Sequence, residues 1–267
     1  MAIVLEPNKT KIAKRVFEIF EFFCDNGQTV TVMDIVRRYG RPQSSTSELL
    51  SSLVEMGLLY KDPRLRSYTP TPRLAALGTS AQPEIIRDGG LFTLMDRLAA
   101  ETGKSVALFG MVKTCVQIFR ISNEGEPLAK EIAYGASEKI SASTSGLLLL
   151  STFAPDQAAS MLWRLNAEAG PEEKFDLIEF KERVAAFRRH GHAVGDAGFA
   201  ANVRVAATLL PRSSIRRPLA LGVMFSANED ADASGLIAAM NRGVATCTRP
   251  RAEDHYSQAS KPYNVAV

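Results

Sequence analysis

Two short runs of hydroxyl-bearing residues are the chain's best candidates for binding chemistry. The first, Gln43-Ser44-Ser45-Thr46-Ser47, holds no bulky side chain that would stop close approach to a surface. The second, Ser141-Ala142-Ser143-Thr144-Ser145, leads into Gly146-Leu147-Leu148-Leu149-Leu150. A helix start presents unpaired N–H groups and a positive dipole end. Hydroxyls at Ser141, Ser143, Thr144 and Ser145 could therefore hold a carboxylate there. Simple N-capping, with one hydroxyl bonded and the rest bystanders, explains the same residues and is the commoner use of serine and threonine.

Catalytic chemistry finds little to build on. The chain has no G-x-G-x-x-G, Walker loop, G-x-S-x-G or H-E-x-x-H, which removes the commonest nucleotide, hydrolase and metalloprotease sites. His190 and His192 have no third ligand nearby and read as surface residues at a helix end. Cys24, Cys115 and Cys247 are far apart with no C-x-x-C, so neither a disulfide framework nor a zinc site is suggested. Cys115 reads as core and Cys247 as helix packing. A redox switch on Cys24 or Cys115 lacks a resolving partner. Asp196, beside Gly195 and Gly198, touches a ligand or makes an Asx turn. No enzyme, cofactor or metal is expected.

The elements that position the first hydroxyl run are legible. Thr31 and Asp34 have the spacing of a capping box. Ile35, Val36 and Tyr39 give that helix an apolar face, and Gly40 ends it. Arg41-Pro42 turns the chain. A second pair, Ser45 and Glu48, is expected to cap the next helix, whose inner face is Leu49, Leu50, Leu53 and Val54. Gly57 closes it. Leu58–Tyr60 and Ser67–Pro70 read as strands around a basic tip, Lys61 to Arg66. Two helices and a hairpin in this order make a winged helix-turn-helix, the second helix entering a major groove by its first turn. Arg64 and Arg66 at the tip suit phosphates or a minor groove.

Composition agrees. With 267 residues, 46% hydrophobic and 23% charged, the chain is long enough for two domains of ordinary globular type. No apolar run approaches the ~20 residues of a membrane span, and the N-terminus does not read as a signal peptide. A cytoplasmic protein is expected. Residues 1–80 hold 11 Lys/Arg against 8 Asp/Glu, whereas the remainder holds 21 of each. The formal surplus of +3 thus lies in the winged region, as expected of a phosphate-facing domain.

The rest reads in order. A first helix spans Asn8 to Cys24; Lys9, Lys11, Lys14 and Arg15 crowd its opening turns, the lysines facing either the DNA backbone or solvent. A helix from Glu84 to Glu101 packs its stripe of Leu91, Leu94, Met95 and Leu98 on its own domain or on a neighbouring subunit. Ser105–Val112 and Thr114–Ile121 form strands around a Lys113-Thr114 turn. Leu128–Tyr134, Val203–Leu210 and Leu219–Phe225 are further strands. Helices are expected at Gly146–Leu150, Pro155–Asn166, Pro171–Arg189 and Asp232–Cys247. This is a mixed sheet flanked by helices, α+β in class.

The stretches RRYGRPQSSTSELLSSLVEMGLLYKD and SYTPTPRLAALG, with YGASEKISASTSGLLLL and FRRHGHAVGDAGFAANVRVAATLLP, resemble the IclR family of bacterial transcription regulators. The resemblance covers nearly the whole chain. It implies a winged helix-turn-helix domain over 1–80, a linker and dimerisation helix over 81–101, a GAF-like effector-binding domain over 102–250 and a loosely held tail over 251–267. It also implies a homodimer, or a dimer of dimers, that binds double-stranded DNA and a small-molecule effector. On this resemblance the DNA-binding residues are Arg41, Gln43, Ser44, Ser45, Thr46, Ser47, Arg64, Arg66 and Tyr68. The effector-binding residues are Phe119, Gly135, Ala136, Ser143, Thr144, Ser145, Asp196, Val205, Gly222 and Met224. Leu147 stands where the family usually has a lysine, and Ala201-Asn202 where it has Pro-Gly. Val205, Gly222 and Met224 make the pocket floor apolar, so the expected effector is an acid with an aromatic or otherwise apolar body. The leading expectation is a ligand-responsive regulator of catabolic genes. The rival is a metabolite-binding protein or enzyme whose winged domain serves protein contacts.

Overall fold

The computed structural model describes residues 11–27, 29–122, 132, 135–211 and 217–247. The expected strand over Leu128–Tyr134, the tail and the first ten residues, with Lys9, lie outside this set apart from Ile132. The chain divides into two compact units, Met1–Gly89 and Gly90–Val267.

In the first unit α1 (Lys11–Asn26) precedes a short β1 (Val30–Thr31), α2 (Val32–Tyr39) and α3 (Gln43–Glu55). A hairpin follows, β2 (Leu59–Asp62) and β3 (Ser67–Pro70), which pair antiparallel while β1 completes a small sheet on the other side of β3. The Thr31–Asp34 box forms in full: the Thr31 hydroxyl donates to Asp34 Oδ2 at 2.7 Å and accepts from the Asp34 N–H at 3.3 Å. Gly40 closes α2 in the left-handed region at φ 61°, where a Cβ would be strained. The core is Ile19, Phe22, Phe23, Ile35, Leu50, Leu53, Leu59 and Tyr68. Phe22 meets Tyr39 edge to face at 6.1 Å, a favoured aromatic geometry. Two helices, α4 (Pro72–Ser80) and α5 (Glu84–Arg87), end the unit.

The expected helix from Glu84 to Glu101 is broken. It stops at Arg87 and resumes as α6 (Gly90–Thr102), because Gly89 takes φ 75°, a left-handed conformation that ends a helix.

The second unit is built on a sheet of order β6-β5-β4-β9-β8-β7, antiparallel at every described pairing. Its strands are β4 (Ser105–Val112), β5 (Cys115–Ser122), β6 (Ser137–Lys139), β7 (His192–Asp196), β8 (Val203–Leu209) and β9 (Leu219–Ser226). A two-residue turn with Lys113 at φ 57° joins β4 to β5. The helices are α7 (Thr144–Leu150), α8 (Pro155–Glu168), α9 (Leu177–His190) and α10 (Ala233–Cys247). α6 and α10 cover one face of the sheet; α7 covers the other, with α8 and α9 outside it. α7 is buried on every side, which explains a helix with no polar stripe. Strand alternation sends Ala107, Phe109, Ile118, Val205 and Met224 to the α7 face, where they pack with Leu148 and Leu149.

Candidate nucleic-acid interface and effector site

α3 starts one turn earlier than a Ser45–Glu48 cap requires. Pro42 is its N-cap, with no side-chain cap bond. The hydroxyls of Ser45 and Thr46 donate instead to the Pro42 carbonyl oxygen, at 3.3 and 2.9 Å. Pro42 ends the turn, and its fixed φ of −61° already suits an N-cap. The five expected base readers therefore divide. Gln43 and Ser44 are exposed, and Ser45 and Ser47 half-buried. Thr46 is 1% exposed, and this corrects the expectation for it: Thr46 lies on the Leu50 and Leu53 side of the helix and cannot face a base.

Tyr68 is corrected in the same way. It is 2% exposed in the core, because β3 alternation turns it inward with Val30 opposite. Arg41 Nη2 donates to both Glu18 carboxylate oxygens at 3.0 and 3.1 Å, an ion pair that fastens the α2–α3 turn to α1. The hairpin tip is as expected of a wing. The Asp62 carboxylate accepts from the Arg64 and Leu65 N–H groups at 2.8 and 3.1 Å, and Arg64 and Arg66 are exposed. Two residues outside the expected DNA-binding set also stand at this turn. Glu48 is exposed one turn beyond Ser44, on the same open side. Arg15 Nη2 donates to Ser45 Oγ at 3.0 Å.

In the second unit Ser143, Thr144 and Ser145 are internal, while Ser141 is half-buried and Ala142 exposed. Ser143 caps α7, accepting from the Gly146 N–H at 3.4 Å, and its hydroxyl lies 2.7 Å from that of Ser145. Both are buried, as is Thr144, whose Oγ1 has no hydrogen-bond partner among the described residues. Thr144 Oγ1 faces Gly195 so closely that a Cβ there would lie 2.5 Å away. A buried hydroxyl without a partner costs about 1–3 kcal/mol, so this atom is the one in the cluster that invites a ligand or water. Gly198, at φ 84°, lets the loop after β7 pass over the cluster so closely that a Cβ there would lie 2.4 Å from the Ala142 carbonyl oxygen. Phe199 of that loop stacks on Phe109 at 5.9 Å.

Val205, Gly222 and Met224 share the α7 face. The space above Gly222 is filled, since a Cβ would meet Val205 Cγ2 at 2.7 Å and Phe109 Cε2 at 2.8 Å. Gly135, at φ 71°, accepts from Gln117 Nε2 at 3.0 Å, and Ala136 packs on the same core. Two expected effector residues lie elsewhere. Asp196 is exposed and paired in register with Arg204, so it points away from the face that Gly195 and Val205 share. Phe119 is the extra residue where β5 bulges between its pairings with Leu108 and Phe109. It is 47% exposed and lies over Gly110 on the opposite face. A bulge re-aims a side chain in this way. His190 and His192 stand with ring centroids 5.7 Å apart at the end of α9.

Hydrogen bonding sets the carboxyls whose acidity is displaced. The Thr31 hydroxyl and then its N–H hold Asp34 below the usual range. The Ser122 hydroxyl and then Arg120 do the same for Asp96.

Residues 13–63 match the IclR helix-turn-helix domain. Over these residues the chain carries an IclR-type helix-turn-helix domain. The match contains α2, the turn, α3 and the first strand of the wing. Solved structures share the fold across most of the chain. An IclR homologue from Microbacterium hydrocarbonoxydans, complexed with 4-hydroxybenzoate, is 18% identical, with TM-score 0.62 over 88% of this chain and 97% of that one. A regulator from Alicyclobacillus acidocaldarius is 18% identical, with TM-score 0.60 over 88% and 95%. The Thermotoga maritima IclR is 16% identical, with TM-score 0.58 over 88% and 94%. No curated protein matches the sequence. No helix among the described residues is long and apolar enough to cross a membrane.

Proposed function

We propose that this IclR-type protein is a ligand-responsive transcriptional regulator of catabolic genes, working in the cytoplasm as a homodimer or a dimer of dimers. The unit ending at Gly89 reads duplex DNA. The unit from Gly90 binds a small organic acid with an aromatic or otherwise apolar body. The observation that carries the DNA reading is the open first turn of α3. Gln43 and Ser44 are exposed there, within the matched helix-turn-helix, and the wing cations Arg64 and Arg66 suit phosphates. Serine and glutamine at base edges give sequence discrimination, while arginines on phosphates set register and affinity.

The effector reading is supported by the unpartnered Thr144 hydroxyl beside Ser143 and Ser145, next to the apolar floor of Val205, Gly222 and Met224. Hydroxyls and the α7 N–H groups suit a carboxylate; the floor suits a ring. The similar Microbacterium protein was solved with 4-hydroxybenzoate, an acid of this kind. An effector changes DNA affinity only through unequal affinity for two arrangements of the protein.

Two measurements test the proposal. A mobility shift with the DNA upstream of the protein's own gene should weaken, and lose salt dependence, when Arg64 and Arg66 are both changed to Ala. Binding that ignores both changes removes the DNA reading. Thermal shifts with a panel of aromatic and short aliphatic acids should favour the aromatic ones; stabilisation by short acids alone removes the apolar-floor argument.

A further inference from the structure

Three cations crowd the start of α3, and their partners sort them. Lys14 Nζ lies 3.9 Å from Glu18 Oε1, and Arg41 donates to the same carboxylate at 3.0 Å. Both cations share the single Glu18 carboxylate. Arg15 is placed differently. Its hydrogen bond goes to a neutral acceptor, Ser45 Oγ, at 3.0 Å, and no carboxylate among the described residues forms an ion pair with it. A guanidinium carries five N–H donors in a rigid fork, so one bond to Ser45 leaves most of the fork open. The side chain is half-buried, which limits the directions it can take. Ser45 in turn donates to the Pro42 carbonyl oxygen, fixing the hydroxyl that Arg15 grips. An uncompensated, oriented cation thus stands against the very turn that a groove would receive.

We infer that Arg15 of α1 contacts a DNA phosphate flanking the groove that α3 enters, with Ser45 orienting its guanidinium. The inference rests on the DNA reading above and adds to it a residue from outside the helix pair and the wing. When the first turn of α3 lies in a groove, a guanidinium bonded to that turn sits beside the backbone at the groove's edge. Phosphate contacts carry no base information, so Arg15 contributes affinity and register whatever the sequence.

The test uses the full chain and a fluorescent random-sequence duplex, with binding followed by anisotropy across a potassium chloride series. Removing one phosphate contact should flatten the slope of log Kobs against log salt by about 0.9. That corresponds to about eightfold weaker binding at 0.1 M salt for Arg15→Ala. Arg15→Lys should restore the slope, because it keeps the charge. Ser45→Ala should keep the slope, because the charge stays although its orienting bond is gone. Arg164→Ala, which removes a cation paired to Glu168 in the second unit, serves as a neutral comparison. Should Arg15→Ala fail to fold, Arg15→Gln removes the charge while keeping a donor for Ser45. An unchanged slope in the folded Arg15 variant, alongside a flattened slope for Arg64→Ala with Arg66→Ala, overturns this inference and leaves the DNA reading standing. Absence of any salt-dependent duplex binding by the unaltered protein overturns both.

Discussion

The starts of α3 and α7 are close in composition and opposite in setting. Each is a run of serines with one threonine, and in each the threonine is buried. At α3 the residues around Thr46 are open: Gln43 and Ser44 are exposed and Ser47 half-buried. At α7 Ser143, Thr144 and Ser145 are all buried. The residues that come after the hydroxyls make the difference. Ser47-Glu48-Leu49-Leu50-Ser51 gives one apolar side, so α3 lies on its domain. Gly146-Leu147-Leu148-Leu149-Leu150 is apolar all round, so α7 is drawn in and takes its hydroxyls with it. The same chemistry becomes a surface in one unit and a lining in the other.

Substitutions test this contrast, the largest effect first. Leu148→Ala, in a fully buried helix, should cost about 2–5 kcal/mol in a denaturant titration; a loss under about 1 kcal/mol would mean that α7 is not central to its unit. Gly195→Ala pushes a methyl group onto Thr144 Oγ1 and should cost about 1–3 kcal/mol by overpacking. It should also abolish thermal stabilisation by aromatic acids, and retained stabilisation would place the ligand elsewhere.

Smaller effects separate the two helix starts more sharply. Thr144→Val removes a hydroxyl that bonds to nothing among the described residues, so the unliganded protein should be unchanged or stabilised by about 1 kcal/mol while acid binding falls. Ser44→Ala should change stability by less than about 0.5 kcal/mol, yet alter base preference in a selection from randomised duplexes. A stability loss at Ser44 would show that it packs.

The α2 cap gives a pH prediction. Thr31→Ala should cost about 1 kcal/mol. The Asp34 carboxyl is held below its ordinary value, so its contribution is complete above that value, near pH 4, and is lost as pH falls through the lower folded value. Asp34→Asn should flatten this acid limb of the first unit's stability. An identical acid limb in that variant would assign the loss to other carboxyls.

How much was readable in the sequence varied with the range of the interaction. The Thr31–Asp34 box, the Gly40 stop and the wing are local, and each follows from residues within a few positions. The Ser45–Glu48 cap failed because Pro42 supplies both the start of α3 and the acceptor for two hydroxyls. Tyr68 has the polar tip expected of a phosphate contact, but its place in β3 opposite Val30 turns it into the core. Arg15 was visible only as part of a basic cluster until Ser45 was seen beside it.

The sequence by itself determined a winged helix-turn-helix followed by an α+β unit, because capping, periodicity and turn chemistry act over a few residues. Only the tertiary structure decided which hydroxyls are open, which cations are already paired, and which face Phe119 and Asp196 occupy. Those outcomes depend on strand register, on a bulge in β5 and on contacts between residues dozens of positions apart, and a side chain moves to the other face of a sheet with a shift of one residue.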